Sequence, residues 1–175
     1  MAVHYDHAEA SAHKVFDALL QAISRPGQVN TLPQAGLLQF IDTLIDLDTT
    51  THNRVTDLQP AIVASRTRLV ALEMAEHVFA DDPQDATAIA EKLSIGDALY
   101  PDLGATIYVT CAHQGQKLRL SGPGIPQSTE VATALPAAFW QARNKACTYP
   151  AGFEVVIVEG NRLIAIPRST KVEVL

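Results

Sequence analysis

The sequence is poor in several features that define whole classes of protein. Its 175 residues include only two cysteines and one tryptophan. Cys111 and Cys147 lie far apart, without the spacing of a metal-binding or redox motif, which argues against a disulfide scaffold and fits a reducing compartment. No apolar run approaches the roughly 20 residues that span a bilayer, and the first residues lack the basic start and apolar core of an export signal. We therefore expect a cytoplasmic protein without a membrane segment.

Positive charge is also scarce. Thirteen Lys and Arg residues oppose nineteen Asp and Glu residues, so the formal net charge is -6. This is the wrong sign for a protein that is held on a phosphate backbone, and we expect no nucleic-acid partner. Apolar residues make up 47% of the chain, which excludes a disordered chain and predicts one globular domain over residues 1–175.

The charge is unevenly distributed along the chain. Residues 1–102 carry six basic and fifteen acidic side chains, whereas residues 103–175 carry seven basic and four acidic ones. Such an asymmetry can mark a surface that meets an acidic ligand or partner. The alternative is that solvated helices occur early in the chain and strands occur late.

Helical spacing of apolar residues predicts several helices. The first runs from Ala8 to Ser24 on a stripe that includes Val15, Phe16, Leu19 and Leu20. A second helix is expected over residues 37–47, a third from residue 83 to 93 with Asp81 or Asp82 as its N-cap, and a fourth after residue 136. Residues 59–80 fit either one helix or a short helix followed by strands, and we favour the second arrangement.

Strand patterns dominate the second half of the chain. Residues 105–111 alternate between apolar and polar side chains, and we expect a hairpin that leads from them into residues 117–120. Residues 153–158 and 162–166 predict two further strands, joined by the two-residue loop Gly160-Asn161. Because helices alternate with strands and hairpins, the predicted class is α/β with a mixed β-sheet flanked by helices.

No catalytic residue can be assigned from the pattern. His4 and His7 have a spacing that could place two imidazoles on one helical face, but exposed histidines at a frayed terminus explain them better, and we expect no metal. His52, His77 and His113 are scattered, without an acid or nucleophile arrangement around them. None of the five lysines lies in an apolar, glycine-flanked setting that would favour a Schiff base.

Two short segments could contact an anion. In residues 167–171, Arg168 and Lys171 stand beside two hydroxyl side chains after an apolar strand, which suits an anion and suits a charged edge strand equally well. Gly122-Pro123-Gly124 could bring backbone N–H groups to a phosphate, but Pro123 lacks that donor, so a tight turn is the better interpretation.

Several segments considered together resemble one protein family, the bacterial phosphonate-utilisation family PhnH. The quoted segments are Ile23-Ser24-Arg25-Pro26-Gly27, Tyr100-Pro101-Asp102-Leu103-Gly104-Ala105-Thr106, Leu120-Ser121-Gly122-Pro123-Gly124-Ile125 and the run from Leu163 to Val174. Phe139-Trp140 and Pro150-Ala151-Gly152 fall where the family has similar features. The chain departs from the family pattern between Thr49 and Leu72.

The resemblance implies a homodimeric α/β protein whose fold is related to the pyridoxal-phosphate-dependent transferases but which binds no cofactor. It also implies that the protein acts as a subunit of the carbon-phosphorus lyase system. With the subunits PhnG, PhnI and PhnJ, the family takes part in making alpha-D-ribose 1-methylphosphonate 5-triphosphate from ATP and methylphosphonate, with release of adenine.

The leading hypothesis is therefore a complex subunit for phosphonate catabolism. Arg25, Arg168 and Lys171 are its candidate anion or nucleotide contacts. The alternatives are an independent small-molecule transferase and a structural adaptor without a ligand site.

Overall fold

The first helix, α1 (His7–Ser24), begins and ends close to the predicted bounds. The computed structural model describes residues 7–175 of the chain. Val15, Ala18 and Leu19 of α1 are buried. Phe16 and Leu20, which were expected on the apolar stripe, are each 46% exposed, because the buried face runs through Val15, Ala18, Leu19 and Ala22 instead.

Four more helices and ten strands follow. The helices are α2 (Leu38–Leu44), α3 (Gln59–Ser65), α4 (Asp85–Ala90) and α5 (Ala137–Ala146). The strands are β1 (Asn30–Thr31), β2 (Thr50–Asn53), β3 (Arg68–Leu69), β4 (His77–Ala80), β5 (Thr106–Thr110), β6 (Gln116–Ser121), β7 (Thr129–Thr133), β8 (Glu154–Glu159), β9 (Arg162–Ile166) and β10 (Lys171–Val174). Short 3-10 turns occur at Thr56–Leu58, Leu72–Met74 and Pro101–Leu103.

Seven strands form one sheet in the order β1-β9-β8-β5-β4-β2-β3. The pairs from β8 across to β3 are parallel, whereas β9 is antiparallel to both β8 and β1. The expected hairpin across Gly160-Asn161 is confirmed, since Glu159 pairs with Arg162. The class is therefore α/β with a mixed sheet flanked by helices, as the sequence predicts.

The remaining strands form a separate antiparallel sheet in the order β10-β6-β7. The predicted hairpin between residues 105–111 and 117–120 is wrong, because β6 pairs with β7 and β10 and not with β5. Both edges of β5 are already occupied by β4 and β8. Leu118 and Leu120 of β6 instead face a buried core, where neither side chain is exposed.

The large sheet is covered on both faces. One core joins α1, α2 and α3 to strand residues such as Phe79, Tyr108 and Val156. The other core joins α4, α5 and the small sheet to the alternate strand residues, such as Val78, Ile107 and Val155. The alternation along each strand thus supplies apolar side chains to two faces, as buried parallel strands require.

The uncertain middle of the chain is a short helix followed by strands. α3, β3 and β4 confirm that choice, while β2 was not predicted. α2 ends at Leu44 and does not reach residue 47, because Ile45 adopts an extended backbone. α4 begins at Asp85 with Gln84 at its N-cap, two residues later than expected. The Asp82 carboxylate still accepts a hydrogen bond of 2.8 Å from the Gln84 amide in the turn before the helix, the kind of contact expected of an N-cap, whereas Asp81 shows none within residues 7–175.

Across the part of the chain that the structure describes, no helix combines the length and apolar character that a membrane crossing needs.

Candidate functional site

Segments that are distant in the sequence pack against one another around Arg168. A Cβ on Gly104 would overlap the carbonyl oxygen of Gly152 and would lie 2.9 Å from the Arg168 guanidinium. A Cβ on Gly152 would lie 2.9 Å from the Cβ of Arg168. Both positions therefore need glycine for lack of space. The segments 100–106, 150–152 and 163–174 quoted above meet at this point.

The turn at residues 122–124 lies between two further segments. A Cβ on Gly122 would lie 3.0 Å from the carbonyl oxygen of Ser169, and one on Gly124 would overlap that of Ser24. The amide of Ile125 closes the turn by donating to the Gly122 carbonyl over 3.1 Å. The tight-turn interpretation is confirmed, and the turn packs between the segments 23–27 and 169–171.

A buried arginine holds the loop that carries Arg168. Arg143 of α5 is 2% exposed. Its Nη2 donates to the Pro167 carbonyl over 2.7 Å, and its Nη1 donates to the Thr170 carbonyl over 2.8 Å. Burial lowers the pKa of Arg143, although a guanidinium stays protonated in proteins. The two charge-assisted bonds therefore fix both ends of the turn at residues 167–170.

Arg168 itself is paired with Glu154, the first residue of β8. Its Nε donates to Glu154 Oε1 over 2.5 Å, and its backbone amide donates to Oε2 over 2.6 Å. Nη1 donates to the Pro101 carbonyl. The side chains of Arg168 and Glu154 are 16% and 19% exposed. Among residues 7–175, Nη2 of Arg168 has no hydrogen-bond acceptor, so both of its N–H groups remain free for a ligand.

A cleft of about 410 Å³ includes Arg168 and lies at the amino ends of β2, β4 and β5; we call it the strand-end cleft. It is lined by Asp46, Asp48, Thr49, Glu76, His77, Asp102, Gly104, Thr106 and Arg168. Ligands of open α/β sheets generally bind at the carboxyl ends of parallel strands. This cleft therefore lies at the opposite end from the usual position.

His77, which lines the strand-end cleft, is hydrogen-bonded to the buried hydroxyl of Tyr108. His77 Nδ1 lies 3.2 Å from the Tyr108 hydroxyl, and the two rings stack. Burial lowers the pKa of His77, although Glu76 and Asp46 act in the opposite direction. Burial raises the pKa of Tyr108. Both groups are therefore neutral at pH 7, and either the phenol or the imidazole can donate in their hydrogen bond.

A second cleft of about 410 Å³ also includes Arg168 and Asp102. Its lining is unusual in containing four prolines: Pro101, Pro123, Pro150 and Pro167. Glu154, Tyr149 and Ser169 complete it. Because proline has a fixed φ and no N–H donor, this cleft is rigid and offers mainly apolar contacts. We call it the proline cleft.

A larger hollow of about 740 Å³ lies between α1 and α2, away from these clefts. Its polar lining includes Glu9, Asp42 and Gln39. The Gln39 amide is already bonded to the Gln34 and Gly36 carbonyls. Its volume alone does not make it the better site, since it contains neither a cation nor any of the quoted segments.

The structure separates the three predicted anion contacts. Arg168 lines both clefts. Arg25 is exposed just after α1, and Lys171 is exposed at the start of β10, an edge strand of the small sheet. Arg25 and Lys171 therefore flank the turn at residues 122–124, and the position of Lys171 also fits the charged-edge alternative.

Sequence reasoning missed Arg143, Glu154, His77 and Tyr108 as parts of this region. Arg143 carried a usable signal, because it lies three and four residues after the buried pair Trp140 and Phe139 on the same helix. A polar residue on a buried helix face needs partners. Glu154 also carried a signal, since the predicted hairpin across Gly160-Asn161 brings it beside the residues that follow β9. His77 had no comparable signal, because its position depends on which parallel strands lie side by side.

The electrostatics of the strand-end cleft are acidic. Four carboxylates, those of Asp46, Asp48, Glu76 and Asp102, line it. Its single arginine is neutralised by Glu154. Such a cleft favours cationic or hydrogen-bond-donating groups over anions. The acidic first half of the chain and the basic second half meet here.

Residues 7–175 include no group of three or more His, Cys, Asp or Glu side chains arranged to hold a metal ion. His4 and the side chain of His7, the weak metal pattern noted in the sequence, lie outside the described residues. The five lysines are all exposed, whereas a Schiff-base lysine needs a buried, low-pKa setting.

Comparison with known proteins identifies the family. The family model described as "Bacterial phosphonate metabolism protein (PhnH)" matches residues 3–173. Since the match covers nearly the whole chain, the chain belongs to the PhnH family of bacterial phosphonate metabolism proteins.

Two relatives are similar over most of their length. A Rhizobium meliloti (strain 1021) protein named "Alpha-D-ribose 1-methylphosphonate 5-triphosphate synthase subunit PhnH" is 28% identical over 182 residues, covering 93% of this chain and 90% of its own. A Stutzerimonas stutzeri protein named "Putative C-P lyase subunit protein HtxG" is 27% identical over 165 residues, covering 90% of this chain and 83% of its own.

Proposed function

We propose that this chain is a subunit of the complex that makes alpha-D-ribose 1-methylphosphonate 5-triphosphate from ATP and methylphosphonate, with release of adenine. The family match over residues 3–173 and the names of both relatives support this proposal. Its partners would be the subunits PhnG, PhnI and PhnJ, and the chain would form a homodimer in the cytoplasm. A fold related to pyridoxal-phosphate-dependent transferases, without the cofactor, belongs to the same proposal.

One observation supports a location on the chain for the proposed function. The segments that define the resemblance converge around the Arg168 loop, although they are scattered from residue 23 to residue 174. A family that keeps a common function needs a common surface. We therefore place the contribution of this subunit at the two clefts that share Arg168 and Asp102.

Arg168 is the leading candidate for an anion contact. Its free Nη2 could donate to a phosphate or phosphonate oxygen while Nε stays on Glu154. Ser169, which lines the proline cleft with it, could add a hydroxyl donor. Arg25 and Lys171 would contribute longer-range positive charge from the neighbouring turn.

A specific observation also favours the adaptor alternative. The Glu154 carboxylate already compensates the charge of Arg168, and further carboxylates surround the strand-end cleft. In this alternative, Arg168 acts only to hold β8, the loop at residue 101 and the turn at residues 167–170 together.

Reconstitution separates the proposal from its alternatives. The chain is combined with its PhnG, PhnI and PhnJ counterparts, and adenine release from ATP and methylphosphonate is measured with and without it. A requirement for the chain supports the complex-subunit role. Undiminished release without it contradicts that role, and turnover of ATP by the isolated chain would favour an independent transferase.

The Arg168→Ala variant tests the anion contact. We expect it to weaken nucleotide or phosphonate binding by about 1 to 3 kcal/mol, the scale of hydrogen bonds to charged groups. Arg162→Ala is the matched control, because Arg162 lies at the start of β9, the strand that leads to Arg168, and pairs on the surface with Glu159. Normal adenine release together with a lowered melting temperature in Arg168→Ala would show that Arg168 is only structural.

A further inference from the structure

A group of large apolar side chains is exposed beside the proline cleft. Leu99 is 83% exposed, Tyr100 is 59% exposed and Leu103 is 53% exposed. Tyr149, which lines the cleft, is 72% exposed. We call these four residues the exposed patch. Single exposed apolar residues are ordinary, but several on neighbouring loops mark an interaction surface.

The loop that carries the first three residues of the exposed patch is held firmly. The Asp97 carboxylate accepts hydrogen bonds of 2.7 Å from the amides of Leu99 and Tyr100. The Ser94 hydroxyl donates to the Leu103 carbonyl over 2.7 Å. The apolar side chains are therefore presented by an ordered backbone, which reduces the entropy lost when a partner binds.

The loop that carries Tyr149 is tied to the same structure. The amide of Gly152 donates to the Ile95 carbonyl over 2.7 Å, and Arg168 bonds the Pro101 carbonyl. Pro101 and Tyr149 then line one cleft. The exposed patch is thus one surface built from two loops that are fixed to each other.

The charges beside the exposed patch define what it can bind. Asp97 and Asp102 lie within the first loop and are exposed. The strand-end cleft, which shares Asp102, adds further carboxylates. The nearby cation, Arg168, is already paired with Glu154. A partner that covers this surface must supply positive charge next to its apolar contacts.

We propose that the exposed patch is the docking surface for a different subunit, one that inserts an apolar side chain into the proline cleft beside a lysine or arginine. This inference rests on the proposed function, because it takes the chain to be part of a complex. A second copy of the chain fits poorly. In a two-fold interface the same patch faces itself, so Asp97 and Asp102 of each copy would meet like charges.

Charge-introducing variants test the docking surface. Leu99→Lys and Tyr149→Lys alter exposed side chains without removing core contacts, so both should fold normally. We expect each to weaken binding to a mixture of the PhnG, PhnI and PhnJ counterparts by roughly tenfold or more, because an apolar contact is lost and a like charge meets the partner's cation. Val63→Lys is the matched control, since Val63 is 63% exposed on α3, and it should bind like the wild type.

The charge of the partner is tested separately. Asp102→Asn should weaken the same binding by a few-fold and reduce its dependence on NaCl concentration, because one attractive charge pair is lost. Unchanged affinity and salt dependence in this variant would overturn the basic character assigned to the partner.

The outcomes separate this inference from the proposed function. If the wild-type chain does not bind its counterparts at all, the proposed function fails and the docking surface falls with it. If the wild type binds and Leu99→Lys binds equally well, only the docking surface is overturned. Loss of a homodimer in Leu99→Lys, with partner binding unchanged, would assign the patch to a second copy and also overturn the inference.

Discussion

Arg143 and Thr170 are joined by a buried hydrogen bond of 2.8 Å, in which the guanidinium donates to the carbonyl. Because Arg143 also binds the Pro167 carbonyl, one side chain of α5 sets the shape of the loop that displays Arg168. The position of the candidate anion contact is therefore determined by a residue that lines neither cleft.

The Arg143→Met variant tests this dependence. Methionine keeps much of the volume but leaves the Pro167 and Thr170 carbonyls without these donors. We expect a loss of about 2 to 4 kcal/mol of unfolding free energy, from two orphaned acceptors. Differential scanning calorimetry should show a lower melting temperature. Arg119→Met is the control, since Arg119 forms only surface ion pairs. An equal loss in both variants would contradict the role of Arg143 in holding the turn at residues 167–170.

The Arg168–Glu154 pair predicts a second stability effect. Glu154→Gln leaves a largely buried guanidinium without its counter-charge, which should cost about 1 to 3 kcal/mol. Arg168→Met combined with Glu154→Gln should cost less than the sum of the single changes, because the two residues are coupled. Urea titrations of the wild type, the two single variants and the double variant measure this coupling. Strict additivity of the changes in unfolding free energy would show that the interaction between the two residues contributes nothing to stability.

Gly104 offers a test of space alone. Its φ of -71° suits any residue, but a Cβ would overlap the Gly152 carbonyl. Gly104→Ala should therefore destabilise the fold by about 1 to 3 kcal/mol through overpacking. Gly160→Asn is the control, since nothing lies within 4 Å of a Cβ there and asparagine tolerates positive φ. Equal melting temperatures for Gly104→Ala and the wild type would refute the close approach.

The burial of two histidines, His77 and His113, leads us to expect a loss of folding stability in mild acid. Burial lowers the pKa of His77 and of His113, although Glu159 at 3.8 Å partly opposes this for His113. The unfolded chain, with histidine pKa values of about 6.5, then binds protons more readily than the folded chain. Stability should be constant above about pH 7 and should fall as the pH drops below about 6.5.

Melting temperatures between pH 8 and pH 5 measure this effect. His77→Gln and His113→Gln should each remove part of the decline, and the double variant should remove more than either. A decline of the same slope in the double variant would assign the acid sensitivity to other groups.

The local elements were largely predictable because their signals are local. The helix α1, the β8–β9 hairpin at residues 160–161 and the turn at residues 122–124 follow from spacing, glycine and proline alone. The β5–β6 hairpin was not predictable, because strand alternation does not reveal which partner a strand will choose. The pairing of β5 with β4 and β8 depends on residues far away in sequence.

The candidate site was likewise predictable only in part. The segments quoted for the family do meet in space, and Arg168 lies at their meeting point. Its pairing with Glu154 results from the antiparallel register of β8 and β9, which pairs Val155 with Ile166 and so brings Glu154 beside the residues that follow β9. The acidic character of the strand-end cleft was not foreseen, because it depends on the parallel pairing that sets the starts of β2, β4 and β5 side by side.

The loop held by Arg143 also joins the two sheets. β9 of the large sheet ends at Ile166, and β10 of the small sheet begins at Lys171, so four residues form the whole connection. Residues 111–115, which join β5 to β6, are a second short connection between the sheets. Because Arg168 lies in the first connection and Glu154 in the large sheet, a rotation of one sheet against the other would change the distance between these two residues.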